Sequence, residues 1–256
     1  MTIQTFAVLR QIPNGDAIPR RNRSATQRQY ARAALDESAR LAGLPTHRWS
    51  QDADGVPVFE ADIYWSYAHK PRWVAAAASA QPVGIDIEHV VPRRLEMLDE
   101  VATAAEWAIV EGSLATNDVA RSGGPRHSGG PPPLGERLPC ELRASTRAEP
   151  QVGASLRGSN GPTALLEARI DQTASTGDPW QVFHHVWTAK EAILKAHRVG
   201  IGRMDDCTIC GALPAGDGLR VRFECADWLV RFHRHADHVA AVATRHGGVA
   251  YRIMPG

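Results

Sequence analysis

The chain is short of aromatic residues, 6% of 256, and short of cysteine, with four. It also carries almost no net charge, +1 at neutral pH. Each shortage excludes something. Four scattered cysteines in a chain of this size do not make a disulfide framework. Near-neutral charge argues against a protein that coats nucleic acid by charge alone. The longest apolar run, Trp73 to Ala80, is far too short to cross a bilayer. Met1 to Pro13 has no basic stretch followed by an apolar run, so no secretory signal is expected. What is present is ordinary for a soluble globular protein, 43% hydrophobic and 22% charged residues. The length suffices to bury a core. These readings together predict a cytoplasmic monomer with no membrane and no nucleic-acid partner.

The periodicities predict an α+β fold. A strand at Thr5 to Leu9 precedes an arginine-rich stretch, Arg20 to Arg23, that runs into a helix from Ser24, as N-cap, to Ala42. Tyr30, Ala34, Leu35, Ser38 and Leu41 share its apolar face, and Arg28 and Arg32 stand one turn apart. A hairpin follows, Trp65 to His69 and Trp73 to Ala78 around Lys70-Pro71, then a strand from Val83 to Glu88 and a helix from Arg93 to Glu111. No aromatic residue occurs from Ala108 to Pro179, and Gly-Gly-Pro runs punctuate the interval. Such a stretch buries too little apolar surface to offset its ordering entropy, so a disordered insertion is predicted at about 112–178. A helix from Pro179 to His197 leaves through Gly200 and Gly202. Four strands then close the set, Asp206 to Cys210, Leu219 to Glu224, Leu229 to His233 and Val239 to Thr244. Helices alternate with antiparallel hairpins in both flanks, the pattern of an α+β fold.

Two segments carry chemistry. In Gly84-Ile85-Asp86-Ile87-Glu88 the two-residue period puts both carboxylates on one strand face, about 7 Å apart, and both isoleucines on the other. Two acids so placed repel unless a cation sits between them. Paired carboxylates with water and phosphate oxygens are the usual way to hold Mg²⁺. In Trp187 to Lys195, helical spacing sets Trp187, Glu191 and Lys195 in one stripe. Taken singly, the first motif reads as a salt-bridging strand face and the second as a surface ion pair. Two further patterns read as structural. Cys207 and Cys210 alternate across a strand, which points their thiols to opposite faces, and His233, His235 and His238 read as solvent-exposed.

Together the two segments resemble the 4′-phosphopantetheinyl transferase superfamily, of the longer, surfactin-synthetase-activating type. Val83 to Glu88 matches its (V/I)-G-(I/V)-D-(I/V)-E strand, and Trp187 to Lys195 its W-x-x-K-E-(A/S)-x-x-K helix. His69, Arg72 and Trp73 match an upstream hairpin in which Ala68 stands for the usual serine. The resemblance implies a pseudo-twofold fold with coenzyme A bound between two α+β halves, 1–82 and 83–256. It makes Asp86, Glu88 and Glu191 the Mg²⁺ ligands, and Glu191 or a metal-bound water the group that takes the proton of a carrier serine. Lys195 and Lys190 would lie near the phosphates, and His69, Arg32 and Arg28 near the 3′-phosphate. Glu106 matches an acid that the family carries on a helix, without the aromatic pair before it. The implied partner is an apo acyl or peptidyl carrier protein. The alternative is a family-derived protein that binds coenzyme A or a carrier without turnover.

Overall fold

The computed structural model describes residues 4–45, 48–60, 62–121, 178–214 and 216–256. It is a mixed α+β fold with two small sheets. The elements are β1 (Gln4–Gln11), α1 (Arg20–Leu41), β2 (Tyr64–Lys70), β3 (Trp73–Ser79), β4 (Val83–His89), α2 (Glu96–Val101), α3 (Ala104–Arg121), α4 (Pro179–His197), β5 (Cys207–Ala212), β6 (Gly218–Phe223), β7 (Ala226–His235), β8 (His238–Thr244) and β9 (Gly248–Met254). The first sheet has the order β2-β3-β1-β9, the second β4-β8-β7-β6-β5. All pairings are antiparallel except β1 with β9. β9 lies beyond residue 82 yet joins β1, so the first sheet draws on both ends of the chain.

Alternation along the strands builds the layers. Val8, Val74, Ala76 and Ala78 turn toward α1 and pack with Ala31, Ala34 and Leu35. Their neighbours Ala7, Leu9, Ala75 and Ala77 turn the other way and meet Ile85, Ile87, Ala240 and Val242 of the second sheet. The second sheet's outer face, with Ala241, Ala243 and Val221, packs on α3 and α4 through Val186, Ala189 and Ile193. The order is therefore helix, sheet, sheet, helices. Both sheets are covered on both faces, and β3 and β8 read as continuous small apolar runs because every residue in them is buried. Ser38 of α1 fastens the outer layer: its hydroxyl donates to the Phe6 carbonyl and accepts the Ala78 N–H.

Local departures from the expected elements have local causes. α1 begins at Arg20 after Pro19, and Ser24 lies inside it, accepting a hydrogen bond from Arg28. The helix expected over Arg93 to Glu111 breaks at Ala102, which is extended, because Thr103 and Glu106 form a capping box. Residues 112–121, expected to open the insertion, continue α3, and residues 122–177 lie outside the described residues. α4 leaves through Arg198 in the left-handed region, φ 59°, rather than through a glycine. Cys207 is buried, and burial pushes its thiol up to about 12, which makes it inert. Among the described residues no helix is long and apolar enough to cross a membrane.

Candidate active site

β2 and β4 are edge strands of different sheets, and they meet along a seam where the Ile85 N–H donates to the Ser66 hydroxyl at 3.2 Å. α4 lies against β4 because Gly84 has no side chain. A methyl there would sit 1.8 Å from the Ala192 carbonyl oxygen. That close approach brings Glu191 and Lys195 beside Asp86. Lys195 Nζ donates to Asp86 Oδ1 at 2.5 Å and lies 3.4 Å from Glu191 Oε2. From the other side, Lys70 Nζ donates to Glu88 Oε1 at 2.6 Å, and Arg93 approaches Glu88 Oε2 at 3.5 Å. A cleft of about 480 Å³ opens along the seam, with Asp86, Glu88, Glu191 and Lys195 on one wall. Tyr67, His69 and Lys70 of β2 and Arg198 at the end of α4 also line it. A second cavity of about 290 Å³ shares Lys70, Glu88 and Glu191 with the first and continues past Arg93, His184 and Trp187.

The acids are electrostatically stressed. Burial raises the Glu191 pKa above the usual carboxylate range, and the charges of Asp86 and Glu88 add to it against Lys195. Burial likewise raises Glu88, with Asp86 reinforcing it against Lys70 and Arg93. Lys195 moves up: burial alone would lower it, but Asp86 and Glu191 outweigh that. Burial lowers His69, helped by Lys195, Lys70 and Arg28, so it stays neutral near pH 7.

Of the residues singled out in the sequence, Asp86, Glu88, Glu191, Lys195 and His69 come together in this cleft. Lys190 does not. One residue before Glu191, it points a different way from the helix and is buried, 3.1 Å from Glu106 Oε1. Glu106 Oε1 also accepts the Ile209 N–H, and Oε2 accepts the Thr103 N–H, so the pair ties α3, α4 and β5 together. Glu106 is thus a structural acid. Its own pKa is lowered: burial would raise it, but the two backbone N–H groups and Lys190 prevail. Arg28 and Arg32 are exposed on α1 and do not line the cleft. Arg28 reaches His69 only through its charge. The three histidines expected in solvent are packed: His238 is buried and stacks on His89, His235 meets Trp73 edge-on, and His233 stacks on Tyr251. Lys70, Arg93 and Arg198 escaped the sequence reading. Lys70 follows His69 directly, and Arg198 is the C-cap of the motif helix, so helix-end analysis was the clue available for the latter.

The donor set suits a hard divalent cation in one respect. Asp86 Oδ2 is buried without a hydrogen-bond partner, beside two acids that repel it. In the arrangement at hand, lysines stand among those oxygens. Among the described residues no three His, Cys, Asp or Glu side chains form a ready ligand group.

Residues 160–243 match the family model described as ACPS, the 4′-phosphopantetheinyl transferase superfamily. The matched stretch contains Lys190, Glu191 and Lys195, while His69, Asp86 and Glu88 lie outside it. No curated protein matches the chain. The family match supports a transferase, with phosphopantetheine transfer as the chemistry it suggests.

Proposed function

We propose that the chain transfers the 4′-phosphopantetheine group of coenzyme A to a serine hydroxyl of an apo acyl or peptidyl carrier protein, with Mg²⁺. The observation that carries this reading is the convergence of Asp86, Glu88 and Glu191, from two distant stretches of chain, in one cleft beside Lys70 and Lys195. The family match over 160–243 supports the same chemistry.

In this reading Asp86, Glu88 and Glu191 would hold the cation, which would supply positive charge to the diphosphate. Glu191, whose pKa burial and its acidic neighbours raise above the usual carboxylate range, or a water held by the cation, takes the proton of the carrier serine. The serine oxygen forms the new bond to phosphorus, and adenosine 3′,5′-bisphosphate leaves with the electron pair of the broken bond. Lys195 and Lys70 orient phosphate oxygens, and neutral His69 donates to the nucleotide end. Arg198, stacked over the Phe59 ring at 5.2 Å, guards the cleft mouth for an anionic group.

The test is incubation with coenzyme A, Mg²⁺ and a panel of apo carrier proteins, read by mass gain on the carrier serine. Transfer is expected, and Asp86→Ala or Glu191→Ala lowers it by at least about 100-fold in a protein that still melts cooperatively. Retained coenzyme A binding with no transfer to any carrier overturns the enzyme reading and leaves a coenzyme A-binding protein.

A further inference from the structure

The acid cluster is already charge-balanced by the chain itself. Asp86 and Glu191 share Lys195, and Glu88 is held by Lys70 and Arg93, so three carboxylates face three resident cations. Two of those acids, Asp86 and Glu88, are buried. Buried carboxylates require such partners. A divalent ion entering this arrangement meets positive charge where it needs oxygen, which agrees with the lack of any ready three-ligand group among the described residues. The resident cations differ in how replaceable they are. Of the three, Lys195 alone bridges two acids, next to Asp86 Oδ2, a buried carboxylate oxygen without a hydrogen-bond partner. Lys70 binds only Glu88, which keeps Arg93 if Lys70 leaves.

We infer that Lys195 occupies the position of the divalent cation in the free protein, and that the cation enters only together with a diphosphate-bearing nucleotide. The inference rests on the transferase reading for the identity of that nucleotide. A diphosphate brings both oxygen ligands and the negative charge that the displaced ammonium requires, so Lys195 exchanges carboxylates for phosphate oxygens as the cation takes its place. Lys195 is thus a gatekeeper for the metal as well as a phosphate ligand. Thermodynamic reciprocity then demands that nucleotide and cation each raise the affinity of the other by the same factor.

The experiment measures Mn²⁺ binding from the free-ion electron paramagnetic resonance signal, corrected for Mn²⁺ bound by coenzyme A without protein. For the wild-type chain, coenzyme A should tighten Mn²⁺ binding at least about tenfold, within the usual range of such couplings. Lys195→Met without coenzyme A should bind Mn²⁺ at least about tenfold more tightly than wild type, and coenzyme A should then tighten binding by a smaller factor than it does in wild type. Lys70→Met without coenzyme A should stay within about threefold of wild type, a shift well below the coupling expected for Lys195. Thermal melting checks that each variant is folded, and Lys195→Gln replaces Lys195→Met if the latter is not. Equal Mn²⁺ affinity of the wild type with and without coenzyme A overturns the inference. So does a Lys195 variant that binds no more tightly than wild type, or a Lys70 variant that gains as much as the Lys195 one. If coenzyme A does not bind at all, the transferase reading fails. The comparison of Lys195 variants with wild type in its absence still decides the metal exchange.

Discussion

At the scale of the residue, neighbouring positions on α4 do different work. Lys190 and Glu191 adjoin in sequence, yet one is sealed against Glu106 and the other lines the cleft. Removing one partner of a buried ion pair strands the other charge, at about 3–5 kcal/mol. Lys190→Met should therefore lower unfolding free energy in urea by about 3 kcal/mol, while coenzyme A affinity, measured by calorimetry, stays within about twofold of wild type. The double variant Glu106→Gln with Lys190→Met should recover part of that loss. Arg198 offers a different test. A non-glycine residue at φ 59° is strained, and its side chain gains a stacking contact on Phe59 in return. Arg198→Ala and Arg198→Gly both lose the stacking, but only alanine keeps the strain. The glycine variant should be the more stable of the two by about 1 kcal/mol.

At the scale of the element, Gly84 sets the spacing between β4 and α4. Gly84→Ala places a methyl against backbone that has nowhere to go. Unfolding free energy should fall by about 3 kcal/mol or more, and transfer activity should fall with it, because Glu191 and Lys195 ride on the displaced helix. A variant with wild-type stability and activity would show that α4 does not need this approach. The elements themselves were largely readable. Strand-forming residues around the Lys70-Pro71 turn marked β2 and β3, and two-residue alternation in β4 rightly put Ile85 and Ile87 on the face away from Asp86 and Glu88. The T-x-x-E of Thr103 to Glu106 carried the helix break in plain view. β9 was not readable, since its partner is β1, more than two hundred residues earlier, and nothing local announces that pairing. The cleft was half readable. Motifs gave the acids, but Lys70 and Arg93 reach Glu88 only because two sheet edges and a loop converge there.

At the scale of the whole molecule, acid should weaken the protein in two windows. Burial lowers the pKa of His69, His184, His197 and His238, so each resists protonation in the folded state. The unfolded chain then binds more protons, and stability, full above an unfolded histidine pKa of about 6.5, declines as pH falls below it. Glu106 has the opposite charge type but the same sense. Its lowered pKa adds stability above the ordinary carboxylate value of about 4.3, and that contribution is lost as pH falls further. Urea midpoints taken between pH 8 and pH 4 should show a decline starting near 6.5. Glu88 and Glu191, whose pKa values burial raises, work the other way and offset part of this decline, so a stability that rises as pH falls from 6.5 would contradict the packed placement of these histidines.

Ala7, Ala75, Ala77 and Ala240 put single methyl groups into the layer between the two sheets, among larger neighbours that include Leu9, Val242, Ile85 and Ile87. Those methyls act as a thickness gauge. They fix how far the strand carrying His69 and Lys70 stands from the strand carrying Asp86 and Glu88, without touching a reacting group. Adding carbon atoms there one at a time would open the jaws by small steps, so the reach of the acids and lysines across the gap is written in the smallest side chains of the core.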